Sequence, residues 1–339
     1  MPLKISGCFK WIALLALVAG VVVYGVGEYY FNLSSNVVAV AVRDSKMPLE
    51  IRLKKGGWKK ASEVTLAELS LALTERHRED GFRWSSLAVR RQPGGVLDRA
   101  AQGLFGAEVN VVWISPDKFD IQTSFLPGFE LTTSDERMQT ENLWFSINAN
   151  FRDPDGKPLG WVYHEGRQVN PTFPKWTGCF FVKNGRPYFG SKKLFDSISG
   201  PVEEGTQGYP SVMKDHKVFP YVALEPNRHF DGTKISYRSL AAMKQDGTLV
   251  FVLSGDGGVM TVSEVTDIAW KLEVQHATLL DGGRALQYSI RTEGGGGHFH
   301  AAWNSDPSGL SGSGRRFTSG CGSALRRSLS SHEQADDDS

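Results

Sequence analysis

The chain has 339 residues, with 38 basic and 37 acidic side chains and a formal net charge of +1 at pH 7. Because the charges nearly balance, the composition argues against a nucleic-acid partner, which needs a basic excess on one face. The length suffices for one large domain or two modest ones. The 37 glycines predict tight turns and short strands rather than long helices.

An uncharged stretch rich in Leu, Val and Ala, from Trp11 to Gly27, predicts a transmembrane helix. Lys4 and Lys10 precede it, and the Gly-Glu-Tyr-Tyr-Phe that follows lacks the small residues of a signal-peptidase site. We therefore predict a cytoplasmic tail over 1–10 and an uncleaved signal anchor over 11–31, which makes the membrane a partner. The soluble part is expected outside the cytoplasm, in the periplasm or at the cell surface. Because basic residues also follow the helix, charge bias alone leaves this orientation open.

Residues 32–106 predict an N-terminal extension of strands and one helix. Short strands are expected over 36–42 and 49–53. Ser62 then has the character of a helix N-cap, and the spacing of Leu66, Leu69 and Leu73 predicts a helix over 65–78.

Residues 107–292 predict a single domain of interleaved strands and helices. Alternating apolar residues indicate a strand around Val109–Trp113, and Asn184-Gly185 marks the tip of a hairpin. Apolar residues at helical spacing predict a helix over 262–272. The pattern favours an α+β fold with a mixed, mainly antiparallel sheet and a few packed helices, preceded by one transmembrane helix.

The remaining residues, 293–339, are rich in Gly and Ser and are predicted to be a disordered tail, because such a composition cannot bury a core. Cys179 and Cys321 are expected to be unlinked thiols, and together with Cys8 they form no metal-ligand spacing. His298 and His300 form an H-x-H pair without a further ligand nearby. We therefore predict no metal and no cofactor.

Three segments place polar side chains at the ends of apolar strands. They are Ser146 to Phe151 with its two amides, Tyr237 to Ala242 with Arg238, and Ala277 to Gly283 with Asp281. A carboxylate followed by two glycines at the end of a buried strand is suited to a site that a ligand approaches closely. Each segment alone is also compatible with an ordinary turn.

Taken together, these segments resemble the phosphodiester glycosidase family. The Asn-Gly-Gly-Phe segment of that family corresponds to Asn148-Ala149-Asn150-Phe151, and its arginine strand before an Asp-Gly turn corresponds to Arg238-Ser239 through Gly247. Its Thr-x-x-Glu helix start corresponds to Thr261 through Glu264, and its Leu-Asp-Gly-Gly segment to Leu280 through Gly283. The likeness covers about Ala107 to Arg291.

The resemblance implies a glycosidase-type hydrolase that cleaves a sugar 1-phosphodiester in an envelope or surface glycan. We expect Asp281 to be a catalytic carboxylate and Glu264 a second one, since glycoside hydrolysis usually uses two. Arg238 would hold the phosphate, and Asn148 would orient the sugar or the phosphate. Substrate contacts are also expected from three neighbours of these residues: Asn150, Gly282 and Gly283.

Structural alternatives exist for three of these residues. Asp281 has the sequence context of a turn aspartate, Arg238 that of a structural ion pair, and Glu264 that of a capping box with Thr261. Ala149 and Asn150 replace both glycines of the first family motif. A catalytically inactive module that binds a glycan or a sugar phosphate is therefore the alternative function. A purely structural membrane partner is a third possibility.

Overall fold

The computed structural model describes residues 7–153, 156–174, 176–220, 231–292, 295–301 and 322–327. Within them the chain forms seven α-helices, which are α1 (Gly7–Phe31), α2 (Leu33–Val42), α3 (Leu66–Ala72), α4 (Val96–Phe105), α5 (Ser134–Thr140), α6 (Lys192–Ser197) and α7 (Val262–Lys271).

The described residues also form twenty strands. They are β1 (Leu49–Arg52), β2 (Trp58–Lys60), β3 (Thr74–Glu79), β4 (Phe82–Arg91), β5 (Glu108–Ile114), β6 (Phe119–Ser124), β7 (Phe145–Asn148), β8 (Val162–His164), β9 (Arg167–Asn170), β10 (Gly178–Lys183), β11 (Arg186–Ser191), β12 (Glu204–Gly208), β13 (Ser211–Lys214), β14 (Lys217–Val218), β15 (Ser239–Lys244), β16 (Leu249–Ser254), β17 (Val274–Leu279), β18 (Gln287–Thr292), β19 (Gly295–His300) and β20 (Gly322–Arg327).

The strands form one large sheet and two small ones. The large sheet has the order β14-β13-β17-β15-β16-β5-β4-β1-β2, with β3 also paired to β4, and the small sheets have the orders β11-β10-β12-β8-β9 and β19-β18-β7-β20-β6. The strand pairs that link these described elements are antiparallel. The predicted α+β class with a mainly antiparallel sheet is confirmed. The large sheet includes strands from both 32–106 and 107–292.

The large sheet separates two apolar cores because side chains alternate along its central strands. On β16, Phe251 and Leu253 face the core shared with Phe145 of the small sheets, while Val250 and Val252 face the core that α7 covers. Helix α7 begins where the sequence predicts, with Thr261 as N-cap. This packing fixes the ends of β7, β15 and β17 relative to one another.

Helix α1 is the element that the N-terminal apolar stretch predicts. Its segment Phe9–Phe31 is long and apolar enough to cross a membrane, and its most apolar 18 residues include none that is buried in the protein. Trp11 and Val23 expose more than two thirds of their surfaces.

Three predictions in the N-terminal extension are wrong. Residues 36–42 form part of helix α2 rather than a strand, because Ser35, Val38 and Val42 are buried at helical spacing and face the core together. The helix predicted over 65–78 ends at Ala72, since 74–79 form β3 and pair with β4. Thr65, not Ser62, caps that helix and forms a capping box with Glu68.

The expected disorder of 293–339 does not hold where the structure describes this segment. Strand β19 pairs with β18, and β20 pairs with β6 and β7, so backbone hydrogen bonding compensates for the glycine-rich composition. Cys179 is buried and is a free thiol, whereas Cys321 lies outside the described residues. The predicted hairpin at Asn184-Gly185 is confirmed, with positive φ angles at both residues.

Candidate functional site

The fold brings the three polar segments together at one corner of the large sheet. The loop after β17 is hydrogen-bonded to both of its neighbours: the Asp281 N–H donates to the Ala149 carbonyl over 3.0 Å, and the Leu280 N–H donates to the Ser239 carbonyl over 2.9 Å. The Gly283 N–H donates to the Tyr237 carbonyl over 2.8 Å. The segments around Asn148, Arg238 and Asp281 therefore form one continuous surface.

The two glycines after Asp281 are required by this close packing. A Cβ on Gly282 would lie 2.8 Å from the Tyr237 carbonyl oxygen, and Gly283 has a φ of +61°, which other residues rarely adopt. Both glycines line a cavity of about 260 Å³. They are thus placed where the sequence predicts substrate contacts, although their first role is to let the loop approach β15.

Asn148 and Asn150 are buried, and their side-chain amides are engaged by the protein. Asn148 donates to the Asp281 carbonyl over 3.2 Å and accepts from the Gln287 N–H over 2.9 Å. Asn150 accepts from the Thr206 hydroxyl and donates to the Gln207 carbonyl. Asn148 therefore fixes the loop that carries Asp281, and Asn150 joins this corner to β12.

Asp281 is the carboxyl group at the centre of this corner. Burial raises its pKa to about 7, against the opposing effects of the Arg152 charge and of a hydrogen bond from the Gly282 N–H. The neighbours of Asp281 in the chain, Leu280 and Gly282, both line the cavity. A carboxyl group that titrates near neutral pH is able to donate or accept a proton in catalysis.

Arg238 lines the same cavity, but its guanidinium group is largely engaged by backbone carbonyls. Nε donates to Met260 over 3.1 Å, and Nη2 donates to Asp231 over 3.3 Å and also to Lys234. Burial lowers the pKa of Arg238 to about 10. Arg238 thus holds the loop 231–235 against β15 and contributes its charge to the cavity.

Glu264 does not line this cavity. Its carboxylate accepts two hydrogen bonds from the Arg91 guanidinium, at 2.9 and 2.8 Å, and one from the Leu49 N–H at 3.1 Å. It also forms a capping box with Thr261. Burial acts most strongly on Glu264 and raises its pKa, but the hydrogen bonds and charge of Arg91, together with the N–H groups of Thr261 and Leu49, jointly exceed that effect and lower the pKa. The contacts support the structural alternative for this residue.

We expect Glu264→Gln to lower stability by about 3–5 kcal/mol, because it leaves the Arg91 charge, on a side chain that is 3% exposed, without its partner. The rate per folded molecule should not change. Thermal unfolding followed by circular dichroism, together with kcat at a temperature where both proteins are folded, checks this. A large fall in kcat at unchanged stability would instead assign Glu264 a catalytic role.

Several residues at the cavity were not singled out by the sequence. The lining includes Phe151, Tyr209, Asp231, Lys234 and Ser239, and the Arg152 charge acts on Asp281. Asp231 accepts hydrogen bonds from the Thr233 side chain and backbone, which lower its pKa. Phe151 ends the Asn148 segment, Arg152 follows it directly and Ser239 lies next to Arg238, so their position in the chain was the one signal that the sequence offered for a role of these three.

An aromatic wall separates this cavity from a second one of about 340 Å³. Trp176 lines the second cavity with Trp161 and Phe173. Its ring also packs edge-on against Phe151, with centroids 4.8 Å apart, and lies 5.7 Å from the ring of Tyr209. Trp176 therefore lies between the second cavity, which it lines, and Phe151 and Tyr209, which line the first.

Within the described residues, no group of three or more His, Cys, Asp or Glu side chains is arranged to hold a metal ion. His298 and His300 lie on β19, with ring centroids 5.6 Å apart.

A sequence profile of the phosphodiester glycosidase family matches residues 141–318. The match spans more than half of the chain and contains the three segments that form the corner described above. The chain belongs to the phosphodiester glycosidase family. No curated protein sequence matches it.

A solved structure shows the same fold at low sequence identity. The catalytic domain of zebrafish N-acetylglucosamine-1-phosphodiester alpha-N-acetylglucosaminidase, auto-inhibited by its pro-peptide, superimposes with a TM-score of 0.56 and 14% identity over 76% of this chain and 87% of that one. A hypothetical protein from Synechocystis gives a TM-score of 0.48 and 11% identity, over 76% of this chain and 64% of the other. The family is one of glycosidase-type hydrolases of phosphodiesters.

Proposed function

We propose that this chain hydrolyses a sugar 1-phosphodiester and that Asp281 is its catalytic acid–base group. The observation that carries the proposal is the position of Asp281, whose pKa is about 7, between two residues that line the cavity. The family of the chain and the named zebrafish glycosidase both support this substrate class. We place this phosphodiester in an envelope or surface glycan, because we propose below that the domain lies outside the cytoplasm.

Two carboxyl groups with opposite pKa shifts are available for the reaction. Asp281 has a raised pKa and lies between two residues that line the cavity, while hydrogen bonding lowers the pKa of Asp231, which lines the cavity itself. Such a divergence is typical of an acid and an ionised partner in glycoside hydrolysis. We assign Asp231, in place of Glu264, as the second carboxylate, which would stabilise positive charge at the anomeric carbon.

In the proposed reaction, the bond between the anomeric carbon and the phosphate oxygen breaks and a water oxygen bonds to that carbon. Protonated Asp281 gives its proton to the departing phosphate monoester, and the water loses a proton to solvent or to the Asp281 carboxylate. Lys234 and Arg152 supply positive charge for the phosphate. Arg238 acts as a positioning residue, because carbonyls occupy most of its donors.

The second cavity is suited to the group on the far side of the phosphate. The first cavity, at about 260 Å³, lies just below the range of about 300–1,000 Å³ that is usual for small-ligand sites, so an extended substrate needs further room. Since Trp176 lines the second cavity and contacts Phe151 of the first, a substrate that occupied both cavities would pass its ring, and aromatic rings are favourable surfaces for sugar stacking.

We therefore expect Trp176→Leu to raise KM about tenfold for a substrate with a sugar aglycone, which corresponds to about 1.4 kcal/mol. KM and kcat for a small chromogenic aglycone should change little, because this substrate fills the first cavity alone. Steady-state kinetics with both substrates checks this. Trp270→Leu is the matched control, since Trp270 lies on α7 outside both cavities. Equal KM changes for both substrates would contradict the assignment.

The proposed activity is tested on the full chain purified in detergent. A chromogenic sugar 1-phosphodiester should be turned over, with the chromogenic alcohol phosphate released and then detected by an added phosphatase. Saturable binding of the substrate without turnover would support the alternative, a catalytically inactive glycan or sugar-phosphate binding module. That alternative is favoured by Asn148 and Asn150, whose amides are engaged by the protein rather than directed into the cavity.

We also propose that α1 anchors the chain in a membrane as a single span and that the catalytic domain lies outside the cytoplasm. The length and apolar composition of Phe9–Phe31 support the span. Lys4 and Lys10 before the helix, and the lack of small residues after it, support an uncleaved signal anchor.

A further inference from the structure

Helix α4 has its apolar side on the outside of the protein. Val96, Leu97 and Leu104 expose 82%, 83% and 77% of their surfaces. Together with the exposed Ala100 they form a continuous stripe along one face of the helix, and Phe105 is also exposed at its last turn. The inward side carries Asp98, which is 8% exposed, and Ala101 is buried at its edge. A surface helix of a soluble protein normally buries its apolar face and exposes its polar face.

Polar contacts on the inner face fix the helix in this orientation. The Asp98 carboxylate accepts from the N–H groups of Gly94 and Gly95, at 2.6 and 2.8 Å. The Gln102 side chain forms two hydrogen bonds with the backbone of Arg91 on β4. Its oxygen accepts from the Arg91 N–H over 2.6 Å, and its nitrogen donates to the Arg91 carbonyl over 3.0 Å. Turning the apolar stripe inward would carry Asp98 and Gln102 outward and break these bonds.

The stripe is connected to the proposed membrane span through α2. Helix α1 is followed after Asn32 by α2, and α2 packs against α4. On α2, Val40 is 66% exposed and Val37 is 37% exposed, so the apolar surface continues toward α1. We call the exposed apolar residues of the two helices the α2–α4 patch: Val37, Val40, Val96, Leu97, Ala100, Leu104 and Phe105.

We propose that the α2–α4 patch lies in the membrane interface, where α4 acts as an interfacial helix beside the spanning helix α1. Exposed contiguous apolar patches mark interaction surfaces, and a short amphipathic helix is stabilised at a bilayer when its apolar face enters the headgroup boundary. We propose lipid as the partner of the α2–α4 patch, because the spanning helix α1 would hold a bilayer close to the first residues of α2. This second contact limits how far the catalytic domain tilts relative to the membrane.

The proposal rests on the anchoring proposed for α1, and one experiment tests both. In a Cys8→Ser, Cys321→Ser background, single cysteines are placed at Leu97, Leu104, Val22 and Lys193 of the full chain. Each is labelled with an environment-sensitive fluorophore, while Cys179 is buried. The proteins are reconstituted into vesicles of neutral and anionic phospholipid with or without nitroxide-labelled lipid. Lys193 is an exposed residue of α6 and serves as the control.

We expect labels at residues 97, 104 and 22 to be quenched by nitroxide lipid several-fold more strongly than the label at 193. If residue 22 is quenched while 97 and 104 match 193, α1 is anchored and the α4 proposal is wrong. If residue 22 is not quenched, the anchoring proposal fails, and the α4 proposal fails with it. Blue-shifted but unquenched labels at 97 and 104 would show that protein, such as a second copy of the chain, covers the patch instead of lipid. Melting temperatures in detergent confirm that the labelled proteins are folded.

Discussion

Replacing Asp281 by Asn should lower kcat by about 10²–10⁴-fold, the usual contribution of a general acid or base, while making the folded protein more stable at pH 7–8. The two effects have one cause. Burial that raises the pKa of Asp281 to about 7 suits the group for proton transfer and also makes its ionised form costly in the folded state. Asparagine removes the proton donor together with that cost.

The sign of the stability effect follows from proton binding. Between the ordinary pKa of Asp, 3.8, and about 7, the folded state binds more protons at residue 281 than the unfolded state does. Stability therefore falls as pH rises through this range and stays lowered above it. A displacement of this size corresponds to a few kcal/mol, on the order of 1.4 per pKa unit. Asp281→Asn should thus stabilise the protein at pH 8 and have little effect near pH 4.

Thermal unfolding at pH 4, 6 and 8, together with kcat for a sugar 1-phosphodiester, measures both effects. Asp117→Asn is the control, because Asp117 is exposed in the turn between β5 and β6. In the wild-type protein, kcat should depend on a group that titrates near pH 7. A variant that kept its activity, or that was destabilised equally at every pH, would make Asp281 a structural turn residue. Loss of stability without loss of turnover would leave the hydrolase proposal intact but move the acid–base role elsewhere.

The sequence predicted those features that depend on local patterns. The Asn184-Gly185 hairpin follows from residues that tolerate positive φ, and α7 follows from its capping box and apolar spacing. The glycines after Asp281 indicated a close backbone approach, which the structure places against Tyr237. These signals are all contained within about ten residues of chain.

The features that the sequence did not reveal depend on distant contacts. The alternation of Val, Ala and Asn in 36–42 is compatible with a strand, and burial of Val38 and Val42 against the domain selects a helix instead. Glu264 was assigned to the site because a glycosidase needs a second carboxylate, whereas Arg91, 173 residues away, engages it. Asp231 and Lys234 gave no motif, because Arg238 brings their loop to the cavity through backbone carbonyls.

Helix α2 provides the second large expected effect. A chain that begins at residue 28 should fold, and one that begins at residue 43 should not. Val38 and Val42 are 1% and 2% exposed, and each buried valine contributes about 1.5–3 kcal/mol. The Ser35 hydroxyl lies 2.7 Å from the Tyr237 hydroxyl and accepts from the Gly257 N–H over 2.9 Å, so its loss leaves buried polar groups unpaired.

These losses are comparable to the whole free energy of unfolding of an ordinary domain, about 5–15 kcal/mol. The shorter chain is therefore expected to lack a cooperative thermal transition, while the longer chain retains one, since it keeps Glu28, which accepts from the Ser34 N–H at the start of α2. Circular dichroism melts of both chains, purified in the same detergent, measure this. Equal melting temperatures would show that α2 belongs to the anchor alone. The expected difference would place α2 within the catalytic domain, so that the anchor enters the fold through a rigid helix rather than a flexible linker.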